Sequence, residues 1–267
     1  MIKALFLPIA LLFVSLPVFA EPLMNRKVNN VFLYDLFKNE GVPTDALLRT
    51  FDFLDTYAGK DIVVAKKIRP AGKAAKVVNA PIKVQGQFAA IVDFSRPSTE
   101  KRLFLLNLKT GSVEKFYAAH GRNSGMLNAT TFSNINMSKM STLGILIAGD
   151  TYYGGHGRSM NLYGAEATDN LAAQRDIVMH GASYVSEEFI AAHGRLGVSW
   201  GCPTVEKSAL PRLIEALSNG SVIYHFHPRL AEYALKSPQK QEFTDMPGYG
   251  DPIIDLPGEE EDIQRRR

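Results

Sequence analysis

The chain has 267 residues, of which 46% are hydrophobic and 21% are charged, with 30 Lys and Arg against 27 Asp and Glu. These values are typical of a folded globular protein and exclude collagen-like, coiled-coil and wholly disordered chains. The single cysteine excludes an intramolecular disulfide framework and any zinc site built from several cysteines.

The first twenty residues have the pattern of a secretory signal peptide. Lys3 precedes an almost continuous apolar stretch, Pro17 interrupts it, and Ala20 is the small residue before a cleavage point. The stretch is too short and wrongly flanked for a permanent membrane anchor. We therefore expect a protein exported to the periplasm or cell envelope, with residues 1–20 removed and no integral membrane anchor.

The next part of the chain has apolar residues at helical spacing. This pattern predicts helices over residues 28–58, with Thr44 or Asp45 capping the second of them. Residues 70–80 have the composition of a linker. Together these features predict a helical N-terminal segment and linker over residues 21–80.

From there on, short strand patterns alternate with glycine-rich turns. Strands are predicted over residues 88–94, 102–108, 113–119, 143–148, 161–163, 176–180 and 221–226. A turn at residues 109–112 predicts a hairpin between the second and third of these strands. A helix is predicted over Leu210–Leu217, with Pro211 in its first turn and Gly220 as its stop. The pattern indicates a mainly β domain over residues 81–230, a β-sandwich or open barrel with a few helices.

The C-terminal residues 231–267 hold 9 acidic and 5 basic groups and end in runs of like charge. This composition predicts a charged, disordered tail, and we expect removal of residues 236–267 to leave activity largely intact. Residues 21–230 hold 24 basic and 18 acidic groups, which favours anionic partners such as cell-wall polymer. They lack dense basic runs with interleaved aromatic residues, so we expect no nucleic-acid partner.

The segment with the clearest chemical signal contains the lone cysteine. An unpaired thiol in an oxidising compartment is a liability unless it is buried or used, so Cys202 calls for an explanation. Gly201 before it permits close approach of a substrate, and Pro203 after it suits the first turn of a helix. A helix N-terminus there would favour the thiolate. A histidine within reach would complete an activated nucleophile.

Several histidines compete for the role of base. His180 follows an apolar, strand-like run that would hold it rigidly, and we prefer it for that reason. His193 is the rival base because it is closer to Cys202 in sequence. His120 and His156 precede glycines in loops and could line the cleft.

These residues resemble the signature of the L,D-transpeptidase (YkuD-type) catalytic domain, and in particular its murein L,D-transpeptidase branch. The resemblance rests on His180-Gly181, on Gly194-Arg195-Leu196-Gly197 and on Ser199-Trp200-Gly201-Cys202-Pro203, in this order. Further matching blocks are Ser138-x-x-Ser141-x-Leu143-Gly144, Tyr153-x-Gly155-x-x-Gly157-x-Ser159 and Asn170. The resemblance covers roughly residues 85–227 and implies a YkuD-like β-sandwich.

What the resemblance implies is a peptidoglycan enzyme without metal or organic cofactor. Cys202 would attack a stem-peptide carbonyl, and the thioester would pass to an amine on a neighbouring stem. His180 would move the protons, with its ring oriented by the carbonyl of Gly181. The backbone N–H groups of Gly201 and Cys202 would stabilise the oxyanion. Covalent inhibition by carbapenems is also expected.

Substrate contacts are expected from residues around the cysteine. Many relatives carry Arg or Asn two positions after it, whereas this chain has Thr204, which cannot provide the same group. Arg195 is a possible replacement, although a solvated loop arginine fits equally well. Ser199, Trp200 and Tyr153 complete the expected set, the last two as an aromatic wall or as core residues.

Three alternatives remain open at this stage. The same acyl-enzyme could pass to water, which would make the protein an L,D-carboxypeptidase or endopeptidase. The domain could be a non-catalytic module that binds the cell wall. Finally, His225 and His227 lie two residues apart on a predicted strand, as zinc ligands can, but no third ligand completes a known pattern, so a structural pair is preferred.

Overall fold

The computed structural model describes residues 21–70 and 74–236. The predicted signal peptide and most of the predicted tail lie outside these residues. No helix within them has the length and apolar character needed to cross a membrane.

The N-terminal part contains two short helices, α1 (Leu33–Asn39) and α2 (Thr44–Tyr57), after a small ribbon of β1 (Lys27–Val28) and β2 (Val31–Phe32). The apolar faces of the helices pack into the same hydrophobic core as the main sheet. The predicted cap is wrong, because α2 begins at Thr44 and the residue before it, Pro43, has no capping side chain.

A β-hairpin follows, made of β3 (Asp61–Ile68) and β4 (Lys76–Lys83), which pair in antiparallel register. The predicted linker over residues 70–80 is therefore wrong from Lys76 onward. The Pro-Ala-Gly sequence that suggested a linker lies between the two hairpin strands, where turn-forming residues are also expected.

The main sheet has nine strands in the order β7-β6-β5-β13-β9-β10-β11-β12-β8. Its strands are β5 (Phe88–Asp93), β6 (Leu103–Asn107), β7 (Val113–Phe116), β8 (Ala118–Ala119), β9 (Gly144–Gly154), β10 (Gly157–Gly164), β11 (Val178–Ala182), β12 (Thr204–Glu206) and β13 (Val222–Phe226). The edge strands β7 and β8 are separated by Tyr117 alone, so the chain draws the two edges of the sheet together. The result is a nearly closed, barrel-like sheet, and the predicted mainly β, YkuD-like fold is confirmed.

Three helices accompany the sheet: α3 (Glu187–His193), α4 (Leu210–Leu217) and α5 (Leu230–Lys236). The bounds of α4 match the prediction. The helix buries four apolar residues in a second hydrophobic core, separate from the one that α1 and α2 join. Its predicted stop is wrong, because Asn219 takes the left-handed conformation directly after the Ser218 cap. Helix α3 was not predicted, although Ser186 accepts the Phe189 N–H as an N-terminal cap.

The predicted tail begins too early. Helix α5 occupies its first residues, and the Tyr233 side chain is buried, with its hydroxyl donating to the Thr168 carbonyl at 2.9 Å. The remainder of the predicted tail, from residue 237 on, lies outside the described residues.

Candidate active site

The site is built where β11 and β12 run side by side. These strands pair in parallel, with His180 opposite Thr204. Continuing that register by two residues places Cys202 opposite Val178. The Val178 N–H points at the Cys202 sulfur at 3.5 Å, which agrees with this placement. Cys202 itself precedes β12, which begins at Thr204, and its sulfur contacts the backbone of Val178 and Asp176, next to the strand that carries His180.

The Cys202 side chain is half-buried, and its sulfur contacts backbone rather than other side chains. Besides the Val178 N–H, the Asp176 carbonyl lies 3.5 Å from the sulfur. No hydrogen bond within the described residues joins the sulfur to a ring nitrogen of His180. Burial raises the pKa of the Cys202 thiol to about 11, although the Val178 N–H and the nearby Arg175 cation oppose this shift.

The expectation of a helix after Cys202 is wrong. Pro203 leads directly into β12, so no helix N-terminus lies at the cysteine. The predicted preference for the thiolate therefore has no source there, and desolvation of the sulfur dominates instead. In the free protein the Cys202 side chain is therefore a neutral thiol at neutral pH.

The His180 ring is 3% exposed and is held on both sides. Its Nδ1 lies 3.4 Å from the Gly181 carbonyl, and its Nε2 lies 3.1 Å from the Thr204 hydroxyl. Since a carbonyl only accepts, Nδ1 carries the proton and Nε2 accepts from Thr204. Burial and the neighbouring His156 lower the pKa of His180 to about 3. The imidazole is therefore neutral, with its lone pair on Nε2.

Thr204 continues this chain of hydrogen bonds. Its side chain is fully buried, and its hydroxyl oxygen accepts from the Tyr184 hydroxyl at 3.3 Å. Tyr184 is in turn packed against Gly197, where an added Cβ would lie 2.5 Å from the Tyr184 Cβ. Thr204 thus orients the imidazole, a role that its sequence position did not reveal.

The turn that carries the nucleophile is shaped by Ser199. Its hydroxyl accepts the Gly201 N–H at 3.0 Å and donates to the Cys202 carbonyl at 2.7 Å. Ser199 itself is almost fully buried, so its contacts are with the turn. The Cys202 N–H takes part in no hydrogen bond within the described residues, which leaves it available to an oxyanion, whereas the Gly201 N–H is engaged.

Gly201 is required for steric reasons. Its φ is +124°, and an added Cβ would lie 2.7 Å from the Met140 carbonyl oxygen and 3.1 Å from Arg175. Arg175 is largely buried, and its guanidinium donates to the carbonyls of Ser133 and Met140. This arginine fixes the wall behind the nucleophile, and sequence reasoning missed it. The only sequence feature that could have pointed to Arg175 was its position immediately before the predicted Asp176–His180 strand.

The other histidines fall in different surroundings. His156, at the tip of the β9–β10 hairpin, stacks on His180 with ring centroids 4.2 Å apart, so it does line the site. His193 is exposed, and its contacts are with Phe189 in its own helix. His120 is buried, with Nδ1 2.7 Å from Arg102, and its carbonyl accepts the Ser199 N–H.

The remaining predicted contact residues are dispersed. Tyr153 is 83% exposed on β9. The Trp200 ring lies under the Lys139 ammonium at 4.1 Å, and its buried Nε1 has no partner within the described residues. Arg195 is half-buried and donates to the Leu196 carbonyl. None of these side chains makes a contact with Cys202 or His180 within the described residues.

The His225 and His227 pair does not form a metal site in the structure. His225 is fully buried with Nδ1 3.1 Å from the Thr142 carbonyl, and His227 packs on Phe132. Across residues 21–70 and 74–236, no group of three or more His, Cys, Asp or Glu side chains is placed to hold a metal ion.

Comparison with known proteins assigns the family. A family model described as L,D-transpeptidase catalytic domain matches residues 60–226. This range includes the β3–β4 hairpin and excludes α1 and α2. A search of curated proteins found no match.

Among solved structures, an L,D-transpeptidase from Mycobacterium smegmatis is 13% identical, with a TM-score of 0.35, over 59% of this chain and 69% of that chain. The L,D-transpeptidase LdtMt1 in complex with imipenem is 10% identical, with a TM-score of 0.34, over 61% of this chain and 78% of that chain. Because the family model spans more than half of the sequence, the chain belongs to the L,D-transpeptidase catalytic domain family, whose members act on peptidoglycan.

Proposed function

We propose that this protein is an exported peptidoglycan L,D-transpeptidase that forms a thioester on Cys202 and transfers it to an amine. The observation that carries the proposal is that the Cys202 sulfur lies against the Val178 N–H of β11, two residues before His180, whose lone pair is on the nitrogen facing β12. The leader predicted for residues 1–20 supports a location in the cell envelope.

The resting pair consists of a neutral thiol and a neutral imidazole, so deprotonation must accompany attack. On substrate binding, Nε2 of His180 exchanges the Thr204 hydroxyl for the thiol proton. The sulfur then bonds to the substrate carbonyl carbon, and His180 becomes an imidazolium. The imidazolium next gives its proton to the leaving amine as the carbon–nitrogen bond breaks, which leaves the thioester. Attack by an acceptor amine reverses these steps and restores the thiol.

The developing oxyanion needs donors that are already in place. The Cys202 N–H meets this requirement, and the Gly201 N–H would join it by leaving Ser199. Removing one such donor in other enzymes costs about 3–4 kcal/mol of transition-state stabilisation. Arg175 supports the same charge from behind the turn, because its guanidinium reaches the Met140 carbonyl next to Gly201.

The test uses acylation and product analysis. A carbapenem presents a reactive carbonyl to the thiol, so incubation should add one inhibitor mass to the protein, and Cys202→Ala should abolish the adduct. Purified sacculi treated with the enzyme should then yield new cross-linked dimers. Shortened stems without dimers would show that water is the acceptor. Full activity in Cys202→Ala would refute the thioester proposal.

A further inference from the structure

A cavity lies between the β3–β4 hairpin and strands β9 and β10. Its volume is about 610 Å³. The lining residues that matter for its chemistry are Lys66, Lys67, Arg69, Lys83, Asp150 and Tyr152. Four of these residues are cationic and one is acidic, so the cavity is basic.

The single carboxylate does not neutralise these cations. Asp150 already accepts from the Tyr163 hydroxyl at 2.7 Å and from the Asn161 amide at 3.2 Å. The Lys66 ammonium donates to the Pro81 carbonyl, a neutral acceptor, at 2.7 Å. Neither Lys66 nor Lys83 forms an ion pair within the described residues. Lys66 and Lys83 therefore line the cavity without a carboxylate counter-ion from the part of the chain that the structure describes.

The cavity and the Cys202 sulfur are connected through Asp176. The carboxylate of Asp176 pairs with Lys67 and Arg69 on the hairpin, while its carbonyl lies 3.5 Å from the sulfur. Asp176 has a φ of +52°, which directs its backbone and side chain to these two neighbours. Asp176 therefore lies between the Cys202 sulfur and the side chains of Lys67 and Arg69, which form the basic rim of the cavity.

Arg69 gives the rim a defined orientation. Its guanidinium stacks over the Tyr152 ring at 3.9 Å and donates to the Asn161 side chain at 3.0 Å. Strand β10 links this wall to the catalytic histidine, because Ser159 pairs with Tyr152 on one side and with His180 on the other. The basic cavity and His180 thus share one end of the sheet.

We infer that this cavity binds the carboxylates of the stem peptide whose carbonyl reacts at Cys202. The inference rests on the proposed function, since it assigns a subsite to the same substrate. A stem peptide keeps free carboxylates on its glutamyl and diaminopimelyl residues, and an extended chain advances about 3.3–3.6 Å per residue. A peptide that extends from Cys202 past Asp176 would carry such carboxylates toward the cavity that Lys66 and Lys83 line. Ammonium groups and the Arg69 fork are suitable partners for such groups.

The experiment measures binding in full-length Cys202→Ala protein, so that turnover does not interfere. The probe is the tetrapeptide L-alanyl-γ-D-glutamyl-meso-diaminopimelyl-D-alanine, compared by calorimetry with an analogue whose glutamyl and diaminopimelyl carboxylates are amidated. We expect the acidic peptide to bind at least tenfold more tightly. Adding Lys83→Gln, or Lys66→Gln with Lys83→Gln, should remove most of that difference while leaving the affinity for the amidated peptide unchanged. Lys109→Gln, on the distant β6–β7 turn, is the matched control and should change neither affinity.

Two results would overturn the inference: equal affinity for the acidic and amidated peptides, or an equal loss of both in the lysine variants. The carbapenem adduct on the wild-type protein is read separately. Carboxylate discrimination without any adduct would contradict the proposed function and keep the subsite. An adduct without discrimination between the acidic and amidated peptides would contradict the subsite and keep the proposed function.

Discussion

At the scale of single residues, the site combines a thiol that is hard to ionise with an imidazole that is hard to protonate. Burial is the first cause of both pKa shifts, to about 11 for Cys202 and to about 3 for His180. The pair therefore differs from a preformed thiolate–imidazolium pair. In the proposed mechanism, reactivity comes from proton transfer during attack on a bound carbonyl, since little of the free thiol is ionised.

This arrangement predicts the pH profile of alkylation. The rate at which iodoacetamide modifies Cys202 should rise about tenfold per pH unit from pH 7 to 10, because only the thiolate reacts and its population grows below the raised pKa. The rate is measured by mass spectrometry at each pH, with Cys202→Ala as the blank. A plateau already reached below pH 8 would contradict the raised pKa.

Thr204 provides a second prediction at this scale. In Thr204→Val, the buried Nε2 of His180 loses the donor that holds the ring in place until the thiol replaces it, so fewer bound complexes start from the productive ring orientation. We expect kcat for peptide turnover to fall about tenfold, since one hydrogen bond contributes about 1 kcal/mol or more. Thr204→Ser keeps the hydroxyl and should restore most of the rate, with little change of KM in either variant. A valine variant as fast as wild type would show that Thr204 has no positioning role.

At the scale of elements, the parallel β11–β12 pair is what joins two distant sequence blocks into one site. The 23 residues between His180 and Thr204 include α3 and the loop that packs Gly197 against Tyr184. The connection from one parallel strand to the next requires such a crossover. Helix α3 thus serves to return the chain, and it carries His193 away from the strand pair.

Helix α5 gives a prediction about the C-terminal boundary. A chain that ends at Arg229 loses the buried Tyr233 ring and its hydroxyl bonds to Thr168 and Thr142. We expect it to unfold with about 2–3 kcal/mol less free energy than a chain that ends at Lys236, as measured by urea denaturation. Tyr233→Phe in the longer chain should lose only about 1 kcal/mol. Equal stability of the two truncated chains would show that α5 does not support the fold.

At the scale of the whole molecule, buried ionisable groups tie stability to pH. Burial lowers the pKa of His120, His180 and His225 to about 4, 3 and 4, and raises that of Asp169 well above its ordinary value. Between pH 6 and 4.5 the unfolded chain holds about two to three protons on these histidines that the folded protein largely lacks. Asp169 acts in the opposite direction, because its raised pKa favours the protonated form in the folded protein. The unfolded state thus binds about one to two more protons.

The free energy of unfolding should therefore fall by about 2 kcal/mol per pH unit as the pH drops through this window. Chemical denaturation at several pH values measures the slope. Replacing buried His225 with Gln should reduce the slope by about 1.4 kcal/mol per pH unit, because one proton is removed from the difference. His193→Gln, at an exposed position, is the control and should leave it unchanged. A flat profile from pH 6 to 4.5 would contradict the neutral, buried state of these histidines.

Much of this protein follows from local sequence alone. Alternating apolar residues and glycine turns predicted the principal strands, and the apolar stripe predicted α4, because these patterns act over a few neighbouring residues. The family followed from ordered blocks around His180 and Cys202. Local patterns failed where a partner strand decides the conformation: a strand and not a helix follows Pro203 because β12 pairs with β11, and β4 forms because β3 lies beside it.

Tertiary structure alone decided the protonation states of the site and which residues contact Cys202 and His180. The sulfur and the imidazole are neutral because segments distant in the sequence bury them. The spacing of residues along the chain gives no information about this burial. Thr204, Arg175 and Asp176 acquire their roles from contacts with His180, Met140 and the β3–β4 hairpin, which the fold brings together across long separations in the chain. The residue types were therefore readable in advance, whereas their protonation states and partners depend on burial and three-dimensional proximity.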